Sequence, residues 1–419
     1  ASLWPLRLWQ EEKLASDQLT AVYRDIERPL ANVLCEMERE GFLIDADALE
    51  ALGRDFRARA AELEAQIYAL AGEEFNIKSP KQLSEVLFDK LGLPRPRKTN
   101  RGFATTSAEV LESLSGDYPI CALILDYRRY QKLDSTYVGA LIKLRDENGR
   151  VHSSFDQTAT ATGRISSNEP NLQNIPVRTE VGREIRAAFV AKPGCVLVDA
   201  DYSQIELRVL AHMSGDETMR SAFLEGQDIH SRTAAEVYGV PLDEVTPAMR
   251  SSAKAVNFGI VYGISDFTLA KNISVTRAEA RYFARYPGVK RFMEEAVRLG
   301  HERGYARTLL GRRRYLPELK SGNYNVRAFG ERCAMNSPIQ GTAADIIKLA
   351  MIRVFEALRA QDLRARLILQ VHDELIVEAP EDEAGRVRAL LQECMEGVMR
   401  LSVPLRTDIS VGRNWRECK

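Results

Sequence analysis

The chain has 419 residues, of which 45% are hydrophobic, and its formal net charge at pH 7 is −1. These values predict a globular protein of about two to four domains or subdomains, and no apolar run approaches the roughly 18 residues of a membrane span. The start of the chain lacks the pattern of a secretory signal, and the six cysteines are scattered without a Cys-x-x-Cys pair. We therefore expect reduced thiols in an intracellular protein rather than a zinc site.

Charge is unevenly distributed along the chain despite this near-neutral total. Residues 78–101 carry seven Lys and Arg against two acidic residues, and residues 298–332 form a second basic stretch. Basic runs are usually solvated faces, but two of them beside Gly, Pro and Asn also permit contacts with a phosphate backbone. The near-neutral net charge therefore does not exclude a nucleic-acid partner.

The first part of the chain is predicted to be mainly helical, and residues 1 to about 25 carry no chemistry that the sequence reveals. Apolar spacing then predicts a helix that ends at Gly41, a short strand at 42–44 and a long helix that ends before Gly72.

The segment from Ser79 to Gln82 (SPKQ) predicts a further helix start, with a capping box and Pro at the first helical position. A second long helix is predicted over residues 123–144. Two long helices with a basic segment between them indicate an arm that carries charge at its tip. A plain helical bundle has the same periodicity.

Residues 153–178 are rich in amide and hydroxyl side chains and include Arg164 and Arg178. Such a segment is poorly suited to a core and offers many donors to groove edges and phosphates. On composition alone, a long surface loop is the simpler interpretation.

The stretch from Cys195 to Arg208 (CVLVDADYSQIELR) predicts a buried strand over its first four residues and a helix from Gln204 onward. Asp199 and Asp201 would then lie at a strand-to-helix junction, where functional residues often collect. Taken alone, either aspartate could simply cap the helix.

The next informative helix follows the turn-rich segment 239–246 and repeats a pattern every four residues, with Arg250, Lys254, Phe258 and Tyr262. Each step overshoots a full turn by about 40°, so the four form one slowly drifting stripe. Two cations followed by two aromatics could bind phosphates and then stack on a base. The alternative is that the aromatics belong to the core and the cations are solvated.

The last region predicts an apolar helix from Ala343 to about Leu358, after the segment Asn336 to Gly341. Residues 367–377 predict two strands joined by a tight turn that carries Asp373 and Glu374. The alternative interpretation is that the two carboxylates are simply the polar residues that are common in tight turns. A helix at 387–399 and a strand at 409–411 complete the chain.

Together these residues predict a metal-assisted reaction on a phosphate. Magnesium prefers oxygen ligands and keeps water and substrate phosphates as its other ligands. Two such ions can activate an attacking hydroxyl and hold a leaving oxygen, provided that Asp201 and Asp373 meet in space.

Long motifs carry a resemblance to a known family. They are Asp201 to Arg208 (DYSQIELR), Arg250 to Gly263 (RSSAKAVNFGIVYG) and Val371 to Glu374 (VHDE), supported by Thr162 to Arg164 (TGR), Pro170 to Pro176 (PNLQNIP) and Asn336 to Asp345 (NSPIQGTAAD). In this order they resemble the bacterial type of family A DNA polymerase, from about residue 20 to the end.

The resemblance implies an α+β fold shaped like a right hand, with an antiparallel palm sheet and a largely helical thumb and fingers. The implied palm is 26–48, 146–206 and 327–419, the thumb 49–145 and the fingers 207–326, with 1–25 as the remnant of an upstream domain or linker. It also implies a monomer in the bacterial cytoplasm, at the nucleoid, that acts in DNA replication and repair. Its partners would be primer-template DNA and deoxynucleoside triphosphates, with no membrane.

By the same resemblance, two Mg²⁺ ions would be held by Asp201, Asp373 and the backbone of Tyr202. The implied catalytic residues are Asp201, Asp373, Glu374 in a lesser role, and Lys254. The implied nucleotide-binding residues are Arg250, Lys254, Phe258, Tyr262, His230, Glu206, Gln204 and Tyr202. Glu206 would exclude a ribose 2′-hydroxyl. The implied DNA-binding residues are Arg164, Asn171, Gln173, Asn174, Asn336, Gln340 and His372. Asp199 falls outside the family motif and is expected to be structural.

Two rival functions share parts of this pattern. A single-subunit RNA polymerase has the same hand and metal carboxylates, but Glu206 and the DYSQIELR motif favour DNA. A non-catalytic nucleic-acid binding protein would not need Asp201, Asp373 and Lys254. The segment 272–287 looks shorter than its family equivalent by roughly one to two helical turns.

The residues ahead of the resemblance are too few for a proofreading or 5′ nuclease domain. We therefore predict DNA synthesis without exonuclease activity from this chain. The measurement is incubation of the pure protein with a labelled, mismatched primer, and shortening of that primer would refute the prediction.

Overall fold

The computed structural model describes residues 3–96, 103–177, 179–261 and 282–419. In chain order the helices are α1 (Leu3–Ser16), α2 (Thr20–Val22), α3 (Arg28–Glu40), α4 (Ala46–Ala71), α5 (Pro80–Ser84), α6 (Ala108–Leu114), α7 (Pro119–Lys132), α8 (Ala140–Leu144), α9 (Glu180–Ala187), α10 (Ile205–Ser214), α11 (Glu217–Leu224), α12 (Ile229–Tyr238), α13 (Pro247–Val261), α14 (Pro287–Arg303), α15 (Tyr324–Ala360) and α16 (Ala384–Glu396). π-Helical turns lie at Tyr23–Glu27, Glu85–Lys90 and Leu133–Gly139, and 3₁₀ turns at Leu172–Asn174, Leu242–Glu244 and Pro317–Lys320.

The strands are β1 (Phe42–Leu43), β2 (Arg150–Val151), β3 (Ser154–Asp156), β4 (Ser166–Asn168), β5 (Cys195–Tyr202), β6 (Tyr305–Arg307), β7 (Arg313–Tyr315), β8 (Arg366–Val371), β9 (Glu374–Pro380) and β10 (Thr407–Gly412). They pair antiparallel in three two-stranded sheets and one four-stranded sheet of order β10-β5-β9-β8. The predicted α+β class with an antiparallel sheet is confirmed. Within the described residues, no helix combines the length and the apolar character needed to cross a membrane.

The four-stranded sheet carries the acidic residues on its inner strands. The sequence predicts a strand that ends before Asp199, but β5 continues to Tyr202 because β9 and β10 pair with it on both sides. Residues two apart on a strand point to the same face, so Asp199 and Asp201 share one face of the sheet. Register places Glu374 of β9 and Asp408 of β10 directly opposite Asp201.

The predicted hairpin at residues 367–377 is confirmed as β8, a two-residue turn and β9. The position predicted for Glu374 is wrong, because Glu374 is not on the turn but pairs with β5 and β8 as the first residue of β9. The turn residues are His372 and Asp373, and His372 has a φ of 53°. A positive φ is uncommon outside glycine, and here it reverses the chain within two residues. The turn thereby brings Asp373 to the end of the sheet where Asp201 lies.

The prediction for α15 is wrong at its start. The sequence predicts a helix from Ala343, whereas α15 begins at Tyr324 and includes the segment from Asn336 to Gly341 with Pro338 inside it. Proline lacks the N–H of a helical hydrogen bond and normally ends a helix. Here burial of side chains such as Ile339 stabilises the continuous helix despite the proline.

The two long helices of the predicted arm are confirmed as α4 and the run from α7 through α8, which pack against each other. The basic segment predicted at its tip lies partly outside the described residues. Asp45 caps the start of α4 and Gly72 follows its end with a φ of 75°. Ser79 caps α5, as predicted, by accepting from Gln82 N at 3.4 Å. The second half of the predicted capping box differs, because Gln82 Oε1 accepts from Asn76 N at 2.8 Å instead.

A buried ionic network ties the N-terminal part of the chain to α15. Glu27 accepts from the side chain of Arg312 and, at 2.7 Å, from Lys348 Nζ, while Arg312 Nε donates to Asp345 Oδ1 at 2.7 Å. Lys348 is fully buried. Buried charges are costly unless paired, so these four side chains depend on one another.

Asp216 joins helices α11 and α14. It caps α11 through a bond from Met219 N at 3.0 Å, and its second oxygen accepts from Gly288 N at 2.8 Å. A Cβ atom on Gly288 would lie 2.9 Å from the Asp216 Cα, so only glycine allows this approach. The side chain of Asp216 is buried, and both of its oxygens are engaged.

We predict that Asp216→Ala destabilises the protein by about 3 kcal/mol, since it removes a helix cap and a charged hydrogen bond inside the structure. Denaturant unfolding measures the change. Asp45→Ala is the control, because Asp45 is an exposed cap with a single bond to Ala48 N at 3.0 Å, and should cost about 1 kcal/mol or less. Equal losses in the two variants would contradict the bridging role.

Candidate active site

A cleft of about 1130 Å³ opens at the end of the four-stranded sheet, between the sheet, α12, α13 and α15. Among its lining residues are ten of the predicted site residues: Arg164, Asp201, Tyr202, Gln204, Glu206, His230, Arg250, Lys254, His372 and Asp373. The predicted contribution of Tyr262 and of the Phe258 side chain lies outside the described residues.

Asp201 and Asp373 meet in this cleft although they are far apart in the chain. The backbone N–H of Tyr202 donates to the carbonyl of Asp373 at 3.1 Å, which fixes the hairpin turn against the end of β5. Burial and the neighbouring charge of Asp201 raise the pKa of Asp373 to about 7. Burial also raises the pKa of Asp201, against the opposing effect of Lys419. The two carboxylates therefore form a pair of like charges that favours a bound cation.

Two further carboxylates lie behind this pair. Glu374 is buried, and its Oε1 accepts from the indole N–H of Trp415 at 2.8 Å. Asp199 is only 2% exposed, and burial, together with the charge of Glu374, raises its pKa to about 9. Its position fits the expected structural role, since of the four acidic residues it lies deepest.

The sequence gives no signal for Lys419, yet this side chain joins three of the four carboxylates. Its Nζ lies 2.9 Å from Glu374 Oε2, 3.0 Å from Asp201 Oδ2 and 3.6 Å from Asp199 Oδ2. Burial by itself would lower the pKa of Lys419, but the three carboxylates outweigh burial and raise it. Lys419 therefore stays protonated at neutral pH.

Arg186 is a second cation that sequence analysis does not identify. Its guanidinium lies 3.8 Å from the centroid of the Trp415 ring and donates to the carbonyl of Ile175 at 3.1 Å. The side chain is 2% exposed, and burial lowers its pKa. Arg186 thus packs on the face of the indole whose N–H holds Glu374.

Glu206 and Arg164 form an ion pair at one wall of the cleft. Arg164 Nη2 donates to Glu206 Oε1 at 2.5 Å, and Glu206 is 6% exposed. In the amide orientation that satisfies both groups, Gln340 Oε1 accepts from Arg164 Nη1 and Nη2 at 3.0 and 3.2 Å. Hydrogen bonds therefore link Glu206, Arg164 and Gln340, three predicted site residues from separate parts of the chain, in one row.

Gly163 allows the loop before Arg164 to approach the buried ionic network. It has a φ of 83°, and a Cβ atom there would lie 2.7 Å from Arg312 Cδ. Any side chain at this position would displace Arg312 or the loop. The position of Arg164 in the cleft thus depends on the packing of Gly163 against Arg312.

Helix α13 presents Arg250 and Lys254 to the cleft, one helical turn apart and both exposed. The side chain of Arg250 donates to Asp228, the N-cap of α12. His230 is buried, its Nδ1 lies 3.0 Å from Asn257 Nδ2, and burial lowers its pKa to about 4. His230 is therefore neutral at physiological pH and can offer a hydrogen bond but no positive charge.

The remaining predicted DNA contacts lie outside the lining of the cleft and make bonds within the chain. Asn171 caps a 3₁₀ turn through Gln173 N at 3.0 Å. Gln173 Nε2 donates to Gln370 Oε1 at 3.2 Å, and the carbonyl of Asn174 accepts from Tyr137. Asn336 is mostly buried on α15. His372, by contrast, lines the cleft and is exposed at the hairpin turn.

Residues 46–417, most of the chain, match the sequence profile of DNA polymerase family A. This chain belongs to DNA polymerase family A. The sequence is 51% identical to DNA polymerase I of Caldicellulosiruptor bescii over 99% of this chain and 49% of that protein. It is 50% identical to DNA polymerase I of Geobacillus stearothermophilus over 100% of this chain and 48% of that protein. It is 48% identical to the thermostable DNA polymerase I of Thermus aquaticus, over 100% of this chain and 50% of that protein.

This family A polymerase chain spans about half the length of the curated relatives it matches. Its fold is similar to a solved structure of the polymerase domain of Pol1 from M. smegmatis, in complex with DNA primer-template and dNTP. That match has a TM-score of 0.92 and 43% sequence identity, and it covers 97% of this chain and 73% of the other. The right-hand polymerase fold predicted from the motifs is therefore confirmed.

The described residues of the family A chain contain no group of three or more His, Cys, Asp or Glu side chains placed to hold a metal ion. A pair of carboxylates is nevertheless sufficient for Mg²⁺, which takes its other ligands from water and substrate phosphates. Asp201 and Asp373 line one cleft, and the pKa of each is raised. This paired acidic donor set fits a hard divalent cation.

Proposed function

We propose that this chain catalyses template-directed DNA synthesis, in which a deoxynucleotide is added to a primer 3′-hydroxyl and pyrophosphate is released. The observation that carries the proposal is the meeting of Asp201 and Asp373 in a cleft that Arg250 and Lys254 also line. Membership of DNA polymerase family A supports DNA synthesis over the RNA polymerase and binding-protein alternatives.

Asp201 and Asp373 would hold Mg²⁺, which when bound supplies activation of the attacking hydroxyl and neutralisation of phosphate charge. Asp201 projects from a strand that is paired on both sides, and the Tyr202 N–H anchors the Asp373 turn. The sheet thus fixes the backbone positions from which the two side chains project, and fixed positions of this kind favour positional catalysis. Glu374 has a lesser, supporting role because it is buried and held by Trp415.

Arg250 and Lys254 would bind the incoming triphosphate. They are exposed cations on one face of α13, on the wall of the cleft that also holds the carboxylates. Arg250 would exchange Asp228 for a phosphate oxygen, since a guanidinium binds either group through the same donors. His230 would orient this region through its hydrogen bond to Asn257, without adding charge.

Glu206 would exclude ribonucleotides, and Arg164 would hold it in place. The ion pair with Arg164 keeps the Glu206 carboxylate at the wall of the cleft, where an added 2′-oxygen would meet a buried charged group. Arg164 and Gln340 carry donors suited to minor-groove acceptors, which A·T and G·C pairs present at similar positions. The row could therefore test pair shape without selecting a sequence.

The hand would be divided as the motifs imply, into palm (26–48, 146–206 and 327–419), thumb (49–145) and fingers (207–326). The four-stranded sheet lies within the proposed palm, and the arm of α4, α7 and α8 within the proposed thumb. The relatives compared above are bacterial DNA polymerases I. This similarity supports the proposal that the chain acts as a monomer on primer-template DNA at the nucleoid.

We predict that Asp201→Asn and Asp373→Asn each reduce primer extension at least about 100-fold, because each removes an anionic oxygen from the proposed metal-holding pair. DNA affinity should stay within about twofold, since neither residue is proposed to contact DNA directly. Extension assays and a DNA-binding titration measure the two effects. Asp382→Asn, at an exposed carboxylate beyond the far end of β9, is the control and should extend normally. A variant at Asp201 or Asp373 with near-normal extension would refute the proposal.

We predict that Glu206→Ala raises the ribonucleotide-to-deoxynucleotide ratio of kcat/KM by at least about 10-fold, because the buried carboxylate no longer opposes a 2′-hydroxyl. Single-nucleotide incorporation with each substrate measures the ratio. Glu206→Gln is the matched control, since it keeps the size of the side chain and should retain most of the discrimination. An unchanged ratio in Glu206→Ala would remove Glu206 from this role.

A further inference from the structure

Lys419 is a cation that contacts the described acidic cluster, and the proposed reaction does not use it. Its Nζ donates to Asp201 Oδ2 at 3.0 Å and forms an ion pair with Glu374 Oε2 at 2.9 Å. Glu374 is nearly inaccessible, whereas the Asp201 side chain is 40% exposed. Lys419 therefore connects a fixed carboxylate to one that can move.

The position of Lys419 relative to the cleft indicates which oxygen of Asp201 it leaves available. Asp201 lines the cleft, but Lys419 and Glu374 are not among the described residues that do so. Lys419 thus contacts Asp201 from outside the lining of the cleft. Its bond engages Oδ2, and a carboxylate has a second oxygen, Oδ1, that can serve a cation on the cleft side.

The charges around Asp201 explain why such a tether is needed. Glu374 and Asp408 lie directly opposite Asp201 on the two neighbouring strands, and the hairpin turn adds Asp373. Like charges directly opposite one another on a sheet destabilise the pairing and push the side chains apart. Without the ammonium of Lys419, the partly exposed Asp201 side chain would turn away from its acidic neighbours.

We propose that Lys419 is a positioning residue, which ties Asp201 to Glu374 and so holds Asp201 in the orientation that receives a divalent cation. This inference rests on the proposed function, because it assigns the cation-holding role to Asp201. It adds a residue remote in the sequence from every motif that carries the family resemblance.

The support of Lys419 is itself rigid. Trp415, four residues earlier, is fully buried, donates to Glu374 Oε1 and packs under Arg186. Both oxygens of Glu374 are thereby engaged, one by Trp415 and the other by Lys419. An outer residue of this kind typically changes metal affinity or activity by about 10- to 100-fold when it is removed.

The experiment compares Lys419→Met, Lys419→Arg and Lys192→Met in the full chain. Lys192 is the matched control, since it lies 3.7 Å from the buried carboxylate of Glu378 at the opposite end of the β5–β9 pair. Binding of Mn²⁺ alone, without DNA or nucleotide, is measured by electron paramagnetic resonance. Extension kinetics then give kcat, the nucleotide KM and the half-saturating Mg²⁺ concentration.

We expect Lys419→Met to weaken Mn²⁺ binding about 10-fold and to lower kcat by a similar factor, with a nucleotide KM within about twofold of the original. Lys419→Arg keeps the charge and the donors and should recover most of both losses. Lys192→Met should leave Mn²⁺ binding and kcat unchanged, even where it lowers the unfolding temperature.

Opposite results overturn the inference. Removal of a nearby positive charge on its own would tighten cation binding. Tighter or unchanged Mn²⁺ binding in Lys419→Met would therefore show that Lys419 does not position Asp201. If Lys192→Met lowered Mn²⁺ binding and kcat as much as Lys419→Met, the losses would be due to reduced stability of the fold and not to the position of Asp201. If the original protein extends primers and Asp201→Asn does not, a normal Lys419→Met variant defeats this inference and leaves the proposed function intact.

Discussion

The structure depends on the confinement of four carboxylates, Asp199, Asp201, Asp373 and Glu374, at one end of a single sheet. Water normally stabilises such charges, but here three of them are largely withdrawn from it. Folding must therefore supply other partners. It does so with the ammonium of Lys419 and the indole N–H of Trp415. The cleft at the end of the sheet is left to the substrate and its cations.

The sequence predicts the helices and strands well where apolar periodicity is strong. The arm helices and the hairpin at residues 367–377 are examples, because burial on one face leaves a clear pattern. The prediction from sequence fails at Pro338, which lies inside a helix, and at Asp199, which lies inside a strand. A proline normally ends a helix, and a charged residue is rare within a buried strand. Tertiary packing outweighs the first preference and strand pairing the second.

For the site, the long motifs predict Asp201, Asp373, Lys254 and Glu206, and the structure brings all four to one cleft. Lys419, Trp415 and Arg186 could not be found in this way, since each acts through a contact between remote parts of the chain. No spacing rule marks a lysine that folds back onto β5. The partners that compensate a charged site thus become visible only when the strands and the segment after β10 are assembled.

The ionic network around Glu27 has a consequence for how much of the chain is needed for a working enzyme. Glu27 precedes the proposed thumb and fingers, yet it neutralises Arg312 and the fully buried Lys348. A shortened version that starts beyond Glu27 would remove the carboxylate paired with the buried Lys348 and would leave Arg312 with Asp345 as its remaining partner in the network. The minimal catalytic unit must therefore begin upstream of this glutamate, even though no catalytic residue lies there.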